Sequence, residues 1–197
     1  MITSPRGVES QSIKLGNAIV ERIQTENPES VLKTRNLSTR PLPHLDGTHL
    51  TSFFTPQENR TAEHLAAIVH SETAIEELFN ADTIVIDVPM YNFGIPSTLK
   101  SWIDHVARVG KTFRYTENGA EGLVKNKKIY LAIATGGVYS EGIMKEFDFT
   151  ESYLKSVLGF LGITDITTFR VEGSAIPELK NIALPTALKS VKELSTI

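Results

Sequence analysis

Three runs of apolar residues rich in β-branched side chains stand out along the chain. They extend from Thr83 to Val88, from Lys128 to Ala134 and from Ile166 to Val171. Because their apolar character is nearly continuous, they are typical of strands buried on both faces of a parallel sheet. The segment from Ser30 to Leu37, which follows Pro28, is a weaker candidate strand.

Amphipathic patterns of helical period fill the gaps between these strands. Pro96 is placed to open one of the helices, since the first turn of a helix tolerates its missing N–H. The predicted helices are Ser12 to Gln24, Pro56 to Phe79, the segment from Pro96 to Val109, Phe147 to Leu161 and Leu179 to Leu194. Strands that alternate with helices predict an α/β protein, with a parallel sheet covered by helices on both faces.

Only Met1, Ile2 and Thr3 are available for a strand before the first predicted helix. In a doubly wound sheet that strand is central, and three residues are too few to span it. We therefore predict a doubly wound parallel sheet of five strands whose first strand is truncated. Either the chain begins late or the sheet has a defect.

The composition excludes several classes of function. Twenty basic and 23 acidic residues leave a net charge of −3, without the basic excess of a nucleic-acid-binding surface. The chain has no cysteine, which rules out disulfides, thiolate metal sites and cysteine nucleophiles. No apolar run approaches the roughly 18 residues of a membrane span, and the N-terminus has no signal-peptide pattern. We therefore expect a cytoplasmic protein of one domain.

Ligands of open α/β sheets bind beyond the carboxyl ends of the strands, and three segments occupy that position. The first, Thr3 to Ser12, leads into a helix N-terminus, whose N–H groups and dipole suit an anion. Hydroxyls of Ser4, Ser10 and Ser12 would add donors to a phosphate. Ordinary helix capping explains the same serines, and neither a Walker lysine nor a G-x-G-x-x-G motif is present.

The other two segments suit a flat aromatic ligand. Pro89 to Pro96 places two aromatic residues, a methionine and an amide between a strand and a helix. Ala134 to Tyr139 contains Gly136 and Gly137, which permit close approach of a ligand to the backbone. Both segments also have plainer interpretations, as a loop that plugs the end of the sheet and as a simple turn.

Several motifs, taken in order, resemble the FMN-dependent NADH azoreductase family, which also contains quinone reductases. The motifs are Met90-Tyr91-Asn92-Phe93, Pro96 with Leu99-Lys100, Phe113 to Gly119, and Leu158 to Gly162. The resemblance covers essentially the whole chain. It implies a flavodoxin-like fold in which residues 1–197 form a single FMN-binding domain.

The resemblance also assigns binding residues. Ser4, Ser10, Gln11 and Ser12 match the family's phosphate loop. The loop that faces the isoalloxazine ring is matched by Pro89, Met90, Tyr91, Asn92 and Phe93, and a second ring-contacting loop by Ala134, Thr135, Gly136 and Gly137. The family typically has Ser-Arg-Gly-Gly in that second loop, so any side-chain contribution of Ala134 and Thr135 is in question. Tyr115 matches an aromatic residue near the active site.

The activity that the resemblance implies is the reduction of quinones, aromatic azo compounds or both by NADH or NADPH, through tightly bound FMN. Since flavin N5 carries the two-electron chemistry, we expect no catalytic side chain and ping-pong kinetics. The resemblance also implies a homodimer with shared active sites. Arg6, Arg114 and Arg170 are each candidates for contact with the 2′-phosphate of NADPH.

Four alternatives compete with this interpretation, and one of them is a structural relative that binds no flavin. A flavodoxin-type electron carrier without NADH-dependent activity would usually be strongly acidic, unlike this chain. A hydrolase is disfavoured because the segment Gly137 to Gly142 has its serine one place too late for a nucleophile elbow. No metal site is expected, since His64 and His70 lie six residues apart and face different sides of a helix.

Overall fold

The computed structural model of the protein describes residues 1–194, and the last three residues of the predicted domain, 195–197, lie outside the described residues. The described chain contains six α-helices and five strands. The helices are Gln11–Glu26 (α1), Gly47–Phe54 (α2), Ala62–Asn80 (α3), Ser97–Val106 (α4), Phe149–Leu161 (α5) and Ala183–Lys192 (α6). The strands are Thr83–Pro89 (β1), Phe113–Thr116 (β2), Gly119–Gly122 (β3), Lys128–Ala134 (β4) and Asp165–Val171 (β5).

The parallel sheet is built on the three predicted apolar strands. Its regular part has the order β1-β4-β5, with both pairs parallel and Thr83 opposite Lys128 at the start of the first pair. The sheet is extended by two single-residue bridges, because Ile2 pairs in parallel with both Asp87 and Asn36. The resulting order, Asn36–Ile2–β1–β4–β5, is that of the flavodoxin-like doubly wound sheet.

At the position of the predicted first strand, Ile2 is the one bridging residue, and beside it Met1 O accepts the Asp87 N–H at 3.0 Å. Ile2 N donates to Arg35 O at 2.8 Å, and Leu37 N donates to Ile2 O at 2.8 Å. The weaker candidate strand from Ser30 to Leu37 is largely wrong, because only Asn36 forms a bridge. A strand needs backbone hydrogen-bond partners along its length. The neighbouring segment pairs with this one only through Ile2.

Helices cover both faces of the sheet, as predicted. On one face Ile86 and Val88 of β1 pack with apolar residues of α3, α4 and α5. On the other face Val85 packs with residues of α1 and α6. The alternation along β1 therefore sends successive side chains into two separate cores. No helix among residues 1–194 is long and apolar enough to cross a bilayer.

Several helix boundaries differ from the predicted ones because of capping. The helix expected from Pro56 begins at Ala62, where the Thr61 side chain accepts the His64 N–H at 3.3 Å. The helix expected from Phe147 begins at Phe149, after Asp148 accepts two first-turn N–H groups. Pro96 stands one residue before its helix rather than inside it. A side-chain acceptor or a proline sets each of these starts.

Two elements were not predicted. The first is α2, and the second is the antiparallel hairpin of β2 and β3. The hairpin contacts the carboxyl end of α5, where Val124 N donates to Leu161 O at 2.9 Å. A Cβ added to Gly122 would lie 2.2 Å from Gly162 N, so the two backbones touch there. Because α5 runs from the carboxyl edge of the sheet to its amino edge, the hairpin lies at the amino edge.

Candidate functional site

The three predicted ligand loops lie side by side at the carboxyl edge of the sheet. They follow Ile2, β1 and β4, which occupy neighbouring positions in the sheet. The Thr3 hydroxyl donates a short hydrogen bond to Asp87 O, which ties the first loop to β1. Met90 N donates to Ala134 O at 2.9 Å, which ties the second loop to the third.

The first loop leaves the start of α1 without a side-chain cap. Ser10 is the residue before α1, yet its side chain accepts no first-turn N–H. Ser10 and Ser12 are buried, and their hydroxyl oxygens lie 2.9 Å apart. The helices α2, α3 and α5 each have a side-chain cap, whereas α1, α4 and α6 have none. With 16 residues α1 is the longest of the three without a cap, and its positive end remains available to an anion.

Gln11 and Ser4 add polar atoms to the same loop. Gln11 Oε1 is buried and has no hydrogen-bond partner. Ser4 is buried, and its hydroxyl oxygen accepts only a long hydrogen bond of 3.4 Å from Arg6 N. A buried acceptor without a partner is costly, so the arrangement fits a ligand that carries hydroxyl donors beside an anionic group.

The second loop has a strained backbone. Tyr91 N donates to Gly94 O at 2.9 Å, and Gly94 N donates to Tyr91 O at 3.0 Å, which closes a tight turn. Its two central residues, Asn92 and Phe93, have φ values of 50° and 68°. Asparagine tolerates this left-handed region, but phenylalanine is rare there. Such strain persists where the surroundings hold it, and it clusters at ligand sites.

An aromatic surface borders this turn. The Phe93 ring lies 5.6 Å from the Phe147 ring and 6.3 Å from the Tyr139 ring, measured between centroids. Phe93 and Phe147 each leave more than two fifths of their surface exposed. Partly exposed rings next to a backbone loop are what a flat conjugated ligand requires. The sequence motifs did not identify Phe147, because it lies far from the loop along the chain.

In the third loop, Thr135 is turned inward. The Thr135 hydroxyl donates to Gly137 O at 2.7 Å, and Thr135 N donates to Val171 O at 2.9 Å. Thr135 is buried, whereas Gly136 is exposed. Thr135, which stands where the family typically has arginine, therefore holds the loop through its hydroxyl. The exposed backbone of Gly136 remains accessible to a ligand.

Tyr115 does not lie near the three ligand loops of its own chain. It lies on the hairpin at the amino edge of the sheet, is 72% exposed and packs edge-on against Phe113 at 5.7 Å. It borders an apolar groove of about 200 Å³ that is lined by residues such as Leu50, Phe53 and Arg108. The groove contains no residue of the three loops, so Tyr115 does not complete the site of its own chain.

The three candidate arginines differ in their surroundings. Arg170 pairs with the carboxylates of Asp148, Glu151 and Glu172, and its side chain is only 15% exposed. Its guanidinium is therefore not available to a 2′-phosphate. Arg114 pairs with Glu121 of the hairpin at 2.7 Å. Arg6 is exposed and lies within the first loop.

Comparisons with known proteins agree on one family. A sequence model described as flavodoxin-like fold matches residues 2–194. An FMN-dependent NADH:quinone oxidoreductase of Herminiimonas arsenicoxydans is 46% identical over 194 residues, which is 94% of this chain and 95% of the relative.

Two solved structures are similar over almost the whole chain. The azoreductase from Bacillus anthracis str. Sterne has a TM-score of 0.86 and 30% identity, covering 98% of this chain and 96% of that one. The FMN-dependent NADH-azoreductase from Bacillus anthracis str. Ames Ancestor, a complex with FMN, has a TM-score of 0.81 and 29% identity, covering 94% and 90%.

Proposed function

The chain belongs to the flavodoxin-like fold family, and from this premise we propose that it is an FMN-dependent NADH oxidoreductase that reduces quinones and aromatic azo compounds. The resemblance to the azoreductase and quinone reductase family is confirmed by relatives that bear those names. The observation that carries the proposal is the hydrogen bond from Met90 N to Ala134 O, which joins two loops beside the uncapped start of α1. NADH is the donor in the relatives' names.

The residues present fit FMN, which we propose to be tightly bound. Ser4, Ser10 and Ser12, with the first-turn N–H groups of α1, would hold the phosphate. Gln11 Oε1, which is buried without a partner, would accept a hydrogen bond from a ribityl hydroxyl. When bound, FMN supplies two-electron redox chemistry between the nicotinamide and the acceptor.

Backbone groups would hold the ring. Pro89, Met90, Tyr91, Asn92 and Phe93 border one side of the proposed ring site, and Ala134, Thr135, Gly136 and Gly137 border the other. Since these loops are hydrogen-bonded to each other, the site is preorganised and little order has to be gained on binding. We propose that residues 1–197 form one domain around it.

The protein would bind both substrates on one surface. Phe93, Tyr139 and Phe147 offer aromatic faces to a flat conjugated molecule. A nicotinamide and an acceptor that need the same surface must occupy it in turn, so we expect ping-pong kinetics. Quinones are the natural acceptor class that we favour, because aromatic azo compounds are mostly synthetic.

We propose a homodimer with shared active sites. Tyr115 lies at the amino edge of its own sheet, away from the three loops, and the groove beside it is apolar and partly open. A second copy would bring this Tyr115 to the open side of the aromatic surface. We also propose a cytoplasmic location, where the reduced nicotinamide is available.

Anaerobic reduction of the FMN-loaded protein tests the proposal. The purified protein is reconstituted with FMN, mixed with NADH, and followed at about 450 nm before a benzoquinone or an azo dye is added. We expect bleaching by NADH and reoxidation by each acceptor. If FMN binds but NADH does not bleach it, the protein is an electron carrier instead. If FMN does not bind, the proposed function is wrong.

A further inference from the structure

Glu172 accepts hydrogen bonds from the segment around the third loop. It is not one of the site residues predicted from the sequence. It directly follows the last residue of β5. Its Oε1 atom accepts hydrogen bonds from Tyr139 N at 2.8 Å and Ser140 N at 2.9 Å. Two successive N–H groups that converge on one carboxylate oxygen form a charge-assisted anchor, which is stronger than neutral hydrogen bonds.

Arg170 holds this carboxylate in place. Its Nη1 atom donates to Glu172 Oε1 at 3.2 Å, and the two side chains are only 15% and 14% exposed. The other side of the guanidinium bonds to Asp148 and Glu151. A charge with so little exposure requires a partner of opposite sign, so Arg170 fixes the Glu172 side chain at this position.

We define the Arg170 cluster as Arg170 with Asp148, Glu151 and Glu172. Burial alone would raise the pKa of Glu151, but hydrogen bonds from Lys155, Arg170 and Thr168 outweigh it and lower the pKa to about 2. Glu151 therefore stays ionised beside Arg170 at the neutral pH of an ordinary enzyme assay.

The same cluster supports the second loop through the start of α5. Asp148 accepts Thr150 N at 2.9 Å and thereby caps the helix. The next residue, Phe149, donates its N–H to Phe93 O at 3.2 Å. The strained Phe93 is thus held by a helix start that Arg170 fixes through Asp148.

We propose that Glu172, held by Arg170, is a positioning residue that anchors the loop from Gly136 to Ser140 against the flavin ring. The inference rests on the proposed function. The two glycines of the loop give its backbone many conformations. Without the anchor, FMN would have to order the loop on binding, and its affinity would fall.

Three variants test the anchor. Glu172→Ala removes the acceptor of both N–H groups. Glu172→Gln retains an amide oxygen that accepts them, so it is the conservative rescue. Asp165→Asn changes an exposed carboxylate at the opposite end of β5, where it pairs with Lys128 outside the Arg170 cluster, so it is the matched control.

FMN and riboflavin are titrated into each apoprotein, and the quenching of flavin fluorescence gives the dissociation constant. For Glu172→Ala we expect both dissociation constants to rise about tenfold or more, because the loop faces the ring that the two flavins share. For Glu172→Gln and Asp165→Asn we expect values within about threefold of the wild-type protein. Hydrogen exchange of the Tyr139 and Ser140 amides in the apoprotein should accelerate only in Glu172→Ala.

The outcomes separate the two claims. If the wild-type protein does not bind FMN, the proposed function and the positioning role are both wrong. If it binds FMN and Glu172→Ala binds equally well, only the positioning role is wrong. If all three variants lose affinity together, or the two amides exchange at the wild-type rate in Glu172→Ala, Glu172 stabilises the fold generally and the proposal is overturned.

Discussion

Asp87 lies directly against Gly16, since a Cβ atom added to Gly16 would fall 1.8 Å from Asp87 Oδ1. Asp87 belongs to β1 and Gly16 to α1, so the helix approaches the sheet closely at this point. The carbonyl of Asp87 also accepts the Thr3 hydroxyl. The contact between the two residues therefore supports the approach to the phosphate loop, and it leads to two predictions.

Gly16→Ala should destabilise the protein. Alanine in a helix interior is normally better than glycine by about 0.5–1 kcal/mol. Here the added methyl group overlaps the Asp87 carboxylate, and overpacking costs about 1–3 kcal/mol. We expect a net loss in the free energy of unfolding, measured by urea titration. The control is Gly159→Ala in α5, where an added Cβ meets nothing within 4 Å. Equal stability of the two variants would contradict the contact.

The burial of Asp87 makes stability depend on pH. Desolvation raises its pKa to about 7, whereas the unfolded chain has an aspartate pKa of about 3.9. Between these values the folded state binds the extra proton, so the free energy of unfolding falls as pH rises from about 4 to about 7. The full shift corresponds to roughly 4 kcal/mol at 1.36 kcal/mol per pH unit.

Asp87→Asn should remove this dependence. The amide stays neutral, so we expect the variant to exceed the wild-type protein in stability at pH 8 and to approach it at pH 4. Urea unfolding at pH 4, 6 and 8 measures the difference. The exposed Asp165→Asn is a control that should not show the same trend. A stability difference that is constant with pH would show that Asp87 is not the titrating group.

Ser10→Ala and Ser12→Ala should weaken the binding of FMN. A hydrogen bond to a charged group contributes about 1.5–3 kcal/mol, so each loss should raise the dissociation constant about tenfold or more. Riboflavin, which lacks the phosphate, should bind these variants as it binds the wild-type protein. Ser156→Ala, on the exposed side of α5, is the control. An equal loss for riboflavin would place the serines elsewhere than at the phosphate.

Position 92 should tolerate the substitution of asparagine by glycine but not by valine. Its φ of 50° is accessible to asparagine and glycine, while a β-branched residue is strained there. We expect Asn92→Gly to retain FMN affinity and Asn92→Val to lose affinity and stability, with strain of about 1–3 kcal/mol. Fluorescence titration and thermal unfolding measure both effects. Unchanged affinity in the valine variant would mean that the turn is not needed in this form.

The sequence by itself predicted β1, β4 and β5 to within one residue at each end. These strands are covered on both faces, so their apolar runs are nearly continuous. Such runs can be recognised without knowing which strands or helices pack against them. The order of strands and helices along the chain then placed the three loops at one edge of the sheet. The motif from Met90 to Phe93, with the motifs around it, led to the family.

The tertiary structure decided what depends on residues distant along the chain. The pairing of Ile2 with both Asn36 and Asp87 places this residue at the first-strand position of the sheet. Thr135 is buried and donates its N–H to Val171 O on the neighbouring strand. Glu172, which follows that strand, accepts the N–H groups of Tyr139 and Ser140 in the loop after β4. Local patterns report the burial of a segment and its period, whereas the partner of a polar group is set by how the strands and helices pack. The loops of the site were therefore predictable, and the contacts that hold them were not.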